Sequence, residues 1–109
     1  MAQDRVDIAA QKRAALASDE RKKQRMLRDV ADITWLMGHS QGRRIMYGLL
    51  AAAGVYQGSF TGNSETFYKE GKRAIGLQYL AIVNEHCAEQ FVLMLKEHKE
   101  EVDGDRNRD

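Results

Sequence analysis

Gly54-Val-Tyr-Gln-Gly-Ser-Phe-Thr-Gly-Asn-Ser-Glu-Thr-Phe67 is the stretch on which the reading of this chain turns. It is the longest segment that cannot continue a helix. Glycines recur at Gly54, Gly58 and Gly62, and each costs roughly 1 kcal/mol against alanine in a helix interior. Helical periodicity runs up to this stretch and resumes after it. The chain therefore reads as all-α: a small bundle of three to four helices with a glycine-spaced connector loop between helices two and three. Tyr56 and Phe60 stand between the glycines and are expected to be buried, pinning the connector to the bundle.

Upstream, Met26, Val30, Ile33 and Met37 recur at helical spacing. Ser18 with Asp19 and Glu20 offers a capping hydroxyl and first-turn acids, so a first helix is expected to start there. Gly38 ends it. Residues 1–17, with only Val6, Ile8 and Leu16 as larger apolar anchors, read as an N-terminal arm that is either frayed or ordered only against a partner. Ser40 is the capping candidate for a second helix carrying Ile45, Met46, Leu49, Leu50 and Ala53, closed by Gly54. Gly42 and Gly48 inside it point to close helix packing.

Downstream, Asn63 or Ser64 caps a third helix with Glu65 in its first turn. It carries Phe67, Tyr68, Ile75, Leu77, Tyr79, Leu80, Ile82 and Val83, the most apolar set, and is expected to be central. Gly71 and Gly76 again point to close contacts. The pattern changes phase between Asn84 and Cys87, and Ala88 to Glu101 reads as a fourth helix with Phe91, Met94 and Leu95 inward and Val92 as a further inward candidate. The domain reads as residues 18–101, followed by a disordered acidic tail over 102–109.

The chain has 109 residues, enough for one core. It has no proline and a net charge of +1. The charge is unevenly spread: residues 1–28 carry eight cations and four acids, and residues 84–109 four cations and eight acids. A basic front and an acidic back suit contacts with copies or neighbours, though each also serves as a solvated face. Cys87 is the only cysteine, so no internal disulfide forms and a reducing cytoplasm is expected. No signal-peptide pattern appears. No apolar run approaches the ~20 residues of a membrane span.

The residues that carry chemistry elsewhere are poorly arranged here. The glycine-spaced stretch is not a dinucleotide fingerprint, since no strand precedes it, and not a phosphate loop, since no Gly-Lys-Ser/Thr follows. An anion held where Asn63 opens a helix is a weaker reading than an ordinary cap. His39, His86, His98 and Cys87 lack the paired spacing of a zinc site. No metal, cofactor or catalytic group is expected, and the protein is read as no enzyme. A small nucleic-acid-binding regulator using the basic first helix is the alternative: Arg21, Lys22 and Arg25 lie among five basic residues of that helix, and Arg43 and Arg44 open the next. The second helix is mostly apolar after Arg44, unlike a reader helix, so at most weak phosphate contact by the basic segment is expected. Trp35, Tyr47 and Tyr56 serve either as core or as partner contacts.

Several of these segments resemble a specific family. Asp32-Ile-Thr-Trp-Leu-Met37, Gln41-Gly-Arg-Arg44, Ala53-Gly-Val-Tyr56, Ser59-Phe-Thr-Gly-Asn-Ser-Glu-Thr-Phe67, Glu70-Gly-Lys-Arg73 and Gly76-Leu77 resemble small virion-associated proteins of short-tailed bacteriophages. The likeness spans roughly residues 28–97. Members often carry a proline near Cys87, which this chain lacks. The resemblance implies a non-enzymatic structural and assembly component of the particle. Its expected place is the interior or near the portal, with a part in DNA ejection; the alternative is a head–tail connector or tail component. Expected partners are copies of itself and other phage structural proteins such as portal, internal or tail proteins. The interaction candidates are Arg21, Lys22, Arg25, Trp35, Arg43, Arg44, Tyr56, Phe60 and Asn63.

Overall fold

The computed structural model describes residues 2–56 and 65–107, with side chains from Arg5 onward. Within them the chain is all helical, with α1 over Ala2–Met37, α2 over Ser40–Ala52, α3 over Glu65–His86 and α4 over Ala88–Asn107. Two units are distinct, residues 1–31 and residues 32–109. The glycine-spaced connector expected between helices two and three lies, over 57–64, outside the described residues.

In the first unit the helix passes straight through Ser18, so the start expected there does not exist. The physical reason is upstream: no glycine or proline precedes Ser18 to stop a helix, and the alanine-rich segment favours one. A capping hydroxyl has a role only where helical N–H groups are free. Val6, Ile8, Leu16, Met26 and Leu27 are all exposed. Of the expected apolar stripe, then, Met26 buries nothing. The local support is an i,i+4 bond from Gln24 Nε2 to Glu20 Oε1 at 2.9 Å and a long, exposed Arg28–Asp29 pair at 3.7 Å.

The second unit holds the core. Ile33 and Met37 at the end of α1 join Met46 and Leu50 of α2, Ala53, Val55, Val83 of α3, Cys87 and Met94 of α4. Leu36, Tyr47, Leu80, Ile82 and Phe91 pack around them. Met37, Met46 and Met94 fill the centre, an adaptable packing material. The most extensive helix contact is between α2 and α4. The third helix is not the central one: Gly76 and Val83 are its buried residues and Leu80 and Ile82 pack beside them, while Phe67, Tyr68 and Ile75 are exposed.

The corners explain the connectivity. α1 stops at Met37, and the N-cap of α2 is His39 rather than Ser40, with an extended backbone (φ −121°, ψ 140°). The Ser40 hydroxyl instead donates to Gln41 Oε1 at 3.2 Å. Gly42 is buried against α1, and a Cβ there would fall on the Leu36 carbonyl. At the far end of α2, Gly54 has φ +76°. Its N–H donates to the Ala51 carbonyl and that of Val55 to the Leu50 carbonyl, at 3.0 and 3.2 Å. This pairing closes the helix on a left-handed glycine. Gly76 admits the connector closely, since a Cβ would lie 2.6 Å from Ala53 Cβ and Val55 Cγ2. A Cβ added at Gly48 or Gly71 would meet nothing within 4 Å, so among the described residues the close packing expected at those two positions is absent.

α3 and α4 abut at Cys87. Its N–H donates to the Val83 carbonyl at 2.7 Å, and its carbonyl accepts from Phe91 N at 2.9 Å. The break therefore needs no proline. α4 continues through Gly104 to Asn107, so the segment expected to be disordered from residue 102 is helical that far.

Candidate interaction surface

Arg43 organises the corner between α1, α2 and α4. Its Nε donates to Glu97 Oε1 at 2.7 Å and its Nη1 to the Met37 carbonyl at 2.9 Å. The side chain is only 11% exposed. The guanidinium thus satisfies one of the free carbonyls at the end of α1 and ties it to α4. Two donors of this largely covered guanidinium are thus spent inside the fold. Arg44, the next residue, is exposed.

Beside this pair the Tyr47 ring stacks on His98, with centroids 3.8 Å apart and planes at 19°. Its other neighbour is Tyr56, at 5.7 Å and 21°. Tyr56 is nevertheless 46% exposed, so the expectation that it is buried against the bundle is wrong. It caps an aromatic row at the surface instead of filling the core, where Ala53 and Val55 on either side of Gly54 already sit. Partial burial, and then the neighbouring Tyr47, hold its hydroxyl above the ordinary value. Phe60 and Asn63, the companion candidates, lie outside the described residues.

Next to the row is a cleft of about 580 Å³ between α2 and α4. Tyr47 and Met94 line it with Arg44, Glu97, His98, Glu100 and Glu101. A second, almost wholly apolar notch of about 360 Å³ lies at the α1–α2 corner, between Trp35, Leu36, His39 and Ile45. Trp35 is 68% exposed, so it is not part of the core. Its ring sits 4.8 Å from that of His39, whose Nδ1 lies 2.8 Å from the Trp35 carbonyl. That bond requires the proton on Nδ1, because a carbonyl only accepts. On α3, Phe67 is 83% exposed, with Tyr68 and Ile75 also outward.

The basic candidates Arg21, Lys22 and Arg25 are exposed along α1. Four of the described candidates, Trp35, Arg43, Arg44 and Tyr56, fall in the second unit. The fold brings Arg43, Arg44, Tyr47 and Tyr56 to one side of α2 and puts Trp35 at the corner. Glu97 and His98 were missed as partners of this group. They lie more than fifty residues from Arg43 and Tyr47, and no spacing rule reaches that far.

Cys87 is buried, with its thiol 3.7 Å from Thr34 Oγ1. Among the described residues no three His, Cys, Asp or Glu side chains are grouped as metal ligands. No helix there is long and apolar enough to cross a membrane. The second unit thus pairs a small core with several large, exposed apolar side chains.

No curated protein and no solved structure matches the chain. A family model does, over residues 33–96, from the last turn of α1 into the middle of α4, which takes in the whole buried core. The match covers more than half of the sequence, and the chain belongs to the family of Bbp19-like phage proteins.

Proposed function

We propose that this protein is a non-enzymatic structural and assembly component of a tailed-phage particle, of the short-tailed kind. The observation that carries this reading is the ratio of core to exposed apolar surface. Among the described residues nine apolar side chains are buried. Outside them Trp35, Ile45, Phe67, Tyr68, Ile75 and Val92 are each more than half exposed. A free-standing domain gains nothing from such faces, whereas a subunit buries them against neighbours. Membership of a phage protein family supplies the context.

In the particle its place is the interior or the neighbourhood of the portal, where it acts in many copies and takes part in DNA ejection. Its partners are copies of itself and other structural proteins. A head–tail connector position uses the same faces. The segment Arg21 to Arg28 adds a weak, salt-sensitive contact with packaged DNA, since its cations are exposed.

The test is a nonsense mutation in the coding sequence, followed through one infection. The expected result is normal early phage expression with particles that are incomplete or fail to deliver DNA. A normal yield of fully infectious particles refutes the proposal.

A further inference from the structure

Beyond Met94, α4 keeps its bundle-facing period while its chemistry changes. Met94 is buried and His98 stacks on Tyr47, but Glu101 and Asp105, next on the same line, are exposed. Glu97, Glu100, Glu101 and Asp105 follow one another at spacings of three, one and four, which puts them on a single stripe. Glu97 is answered by Arg43. Among the described residues no ion pair reaches Glu100, Glu101 or Asp105. Glu100 and Glu101 line the α2–α4 cleft from the α4 side with Met94, opposite Tyr47 and the exposed Arg44 of α2.

The same chain carries a counterpart. Arg21, Arg25 and Arg28 share one face of α1, at spacings of four and three, and all are exposed. Arg28 has only the long, exposed pair with Asp29. Residues 21–28 hold five cations and no acid. A four-residue step advances about 6 Å along either helix. One guanidinium set against one carboxylate therefore brings the next turn of both helices into register.

From this complementarity we infer that the α2–α4 cleft and the acidic stripe of α4 receive the Arg21–Arg25–Arg28 face of a second copy of this chain. This rests on the assembly reading above and names its partner. The two surfaces differ, so the contact is head-to-tail and repeats into a ring or a stack. Both stripes lie outside residues 33–96, so the contact is a property of this chain beyond what its family model spans.

The test is self-association of the purified full chain by sedimentation, at 0.1 M and at 1 M salt, where the screening length falls from about 10 to about 3 Å. Wild-type protein is expected to associate at low salt and to weaken about tenfold or more at high salt, the order for three partly exposed ion pairs. One variant carries Arg21→Glu, Arg25→Glu and Arg28→Glu, the other Glu100→Lys, Glu101→Lys and Asp105→Lys. Each alone is expected to stay monomeric with unchanged helix content, and an equimolar mixture to associate again. Variants that associate like the wild type, a mixture that does not recover, or a wild type that is monomeric throughout overturns the inference. The assembly reading has a separate readout, the particle itself, and association by uncharged faces alone defeats this inference while leaving that reading standing.

Discussion

Glycine replacement separates the corner that positions α2 from the rest of that helix. At Gly42 an added Cβ falls on the Leu36 carbonyl oxygen, with the carbonyl carbon at 2.7 Å and Leu36 Cγ at 3.0 Å. The first two atoms are backbone of the last turn of α1, and that turn is fixed by Arg43 on the Met37 carbonyl and by His39 on the Trp35 carbonyl. It cannot give way cheaply. Gly42→Ala is expected to destabilise by about 1–3 kcal/mol or more, the scale of overpacking, in excess of a helix-propensity gain near 1 kcal/mol. Gly48 lies in the same helix with nothing within 4 Å. Gly48→Ala keeps the propensity gain and is expected to stabilise by about 0.4–1 kcal/mol. Urea unfolding followed by circular dichroism, with slopes compared to confirm one transition, measures both changes. Equal shifts of the same sign at the two positions would refute the close approach of α1 and α2 at Gly42.

Three further outcomes are expected. Arg43→Met leaves Glu97 and the Met37 carbonyl without their donor and should cost about 2 kcal/mol, the scale of a charge-assisted hydrogen bond lost from a partly buried site. In a double-mutant cycle with Glu97→Gln the coupling should be favourable; zero coupling removes the bridge. The Tyr56 hydroxyl, raised by partial burial and then by Tyr47, holds its proton in the folded state at pH values where the unfolded chain has lost it. Stability should therefore fall as pH rises through the ordinary tyrosine value of 10.0 toward the raised one. Tyr56→Phe should flatten that part of the pH profile, and an unchanged profile contradicts the stacked, half-buried position. Cys87, buried beside Thr34, should resist a thiol reagent until the second unit opens, with a labelling rate that climbs with urea. Immediate labelling of the native protein contradicts its burial.

Much of the fold is legible in the sequence because helix ends are local chemistry. Gly54 must end α2, since only glycine adopts its positive φ cheaply. The phase change before Cys87 marks a real boundary. Ser18 misleads for the complementary reason, because a capping sequence without a preceding stop is simply helix. The buried face is only half legible. Met46 and Leu50 are core, but Ile45 and Leu49 extend the same stripe and are exposed. Amphipathic periodicity cannot separate a face turned to its own bundle from one turned to a partner. The same ambiguity makes α3 look central, when Phe67, Tyr68 and Ile75 face outward.

The candidate surface was less legible than the fold. Trp35 and Tyr56 stand out in the sequence as large aromatics, but their exposure depends on how α2 meets its neighbours. Arg43 reads as half of a basic pair with Arg44, and only tertiary closure onto Glu97 turns one of the two into a structural tie. His98 carries no local sign that its ring meets Tyr47. Charge along the chain, by contrast, is visible at once, and the exposed stripes on α1 and α4 are its three-dimensional form.

The central claim is that this chain is part of the phage particle. The most direct measurement is mass spectrometry of purified particles before and after DNA is released. The account predicts many copies of the chain in intact particles and a marked loss on release. Purified infectious particles that contain none of it would contradict the account.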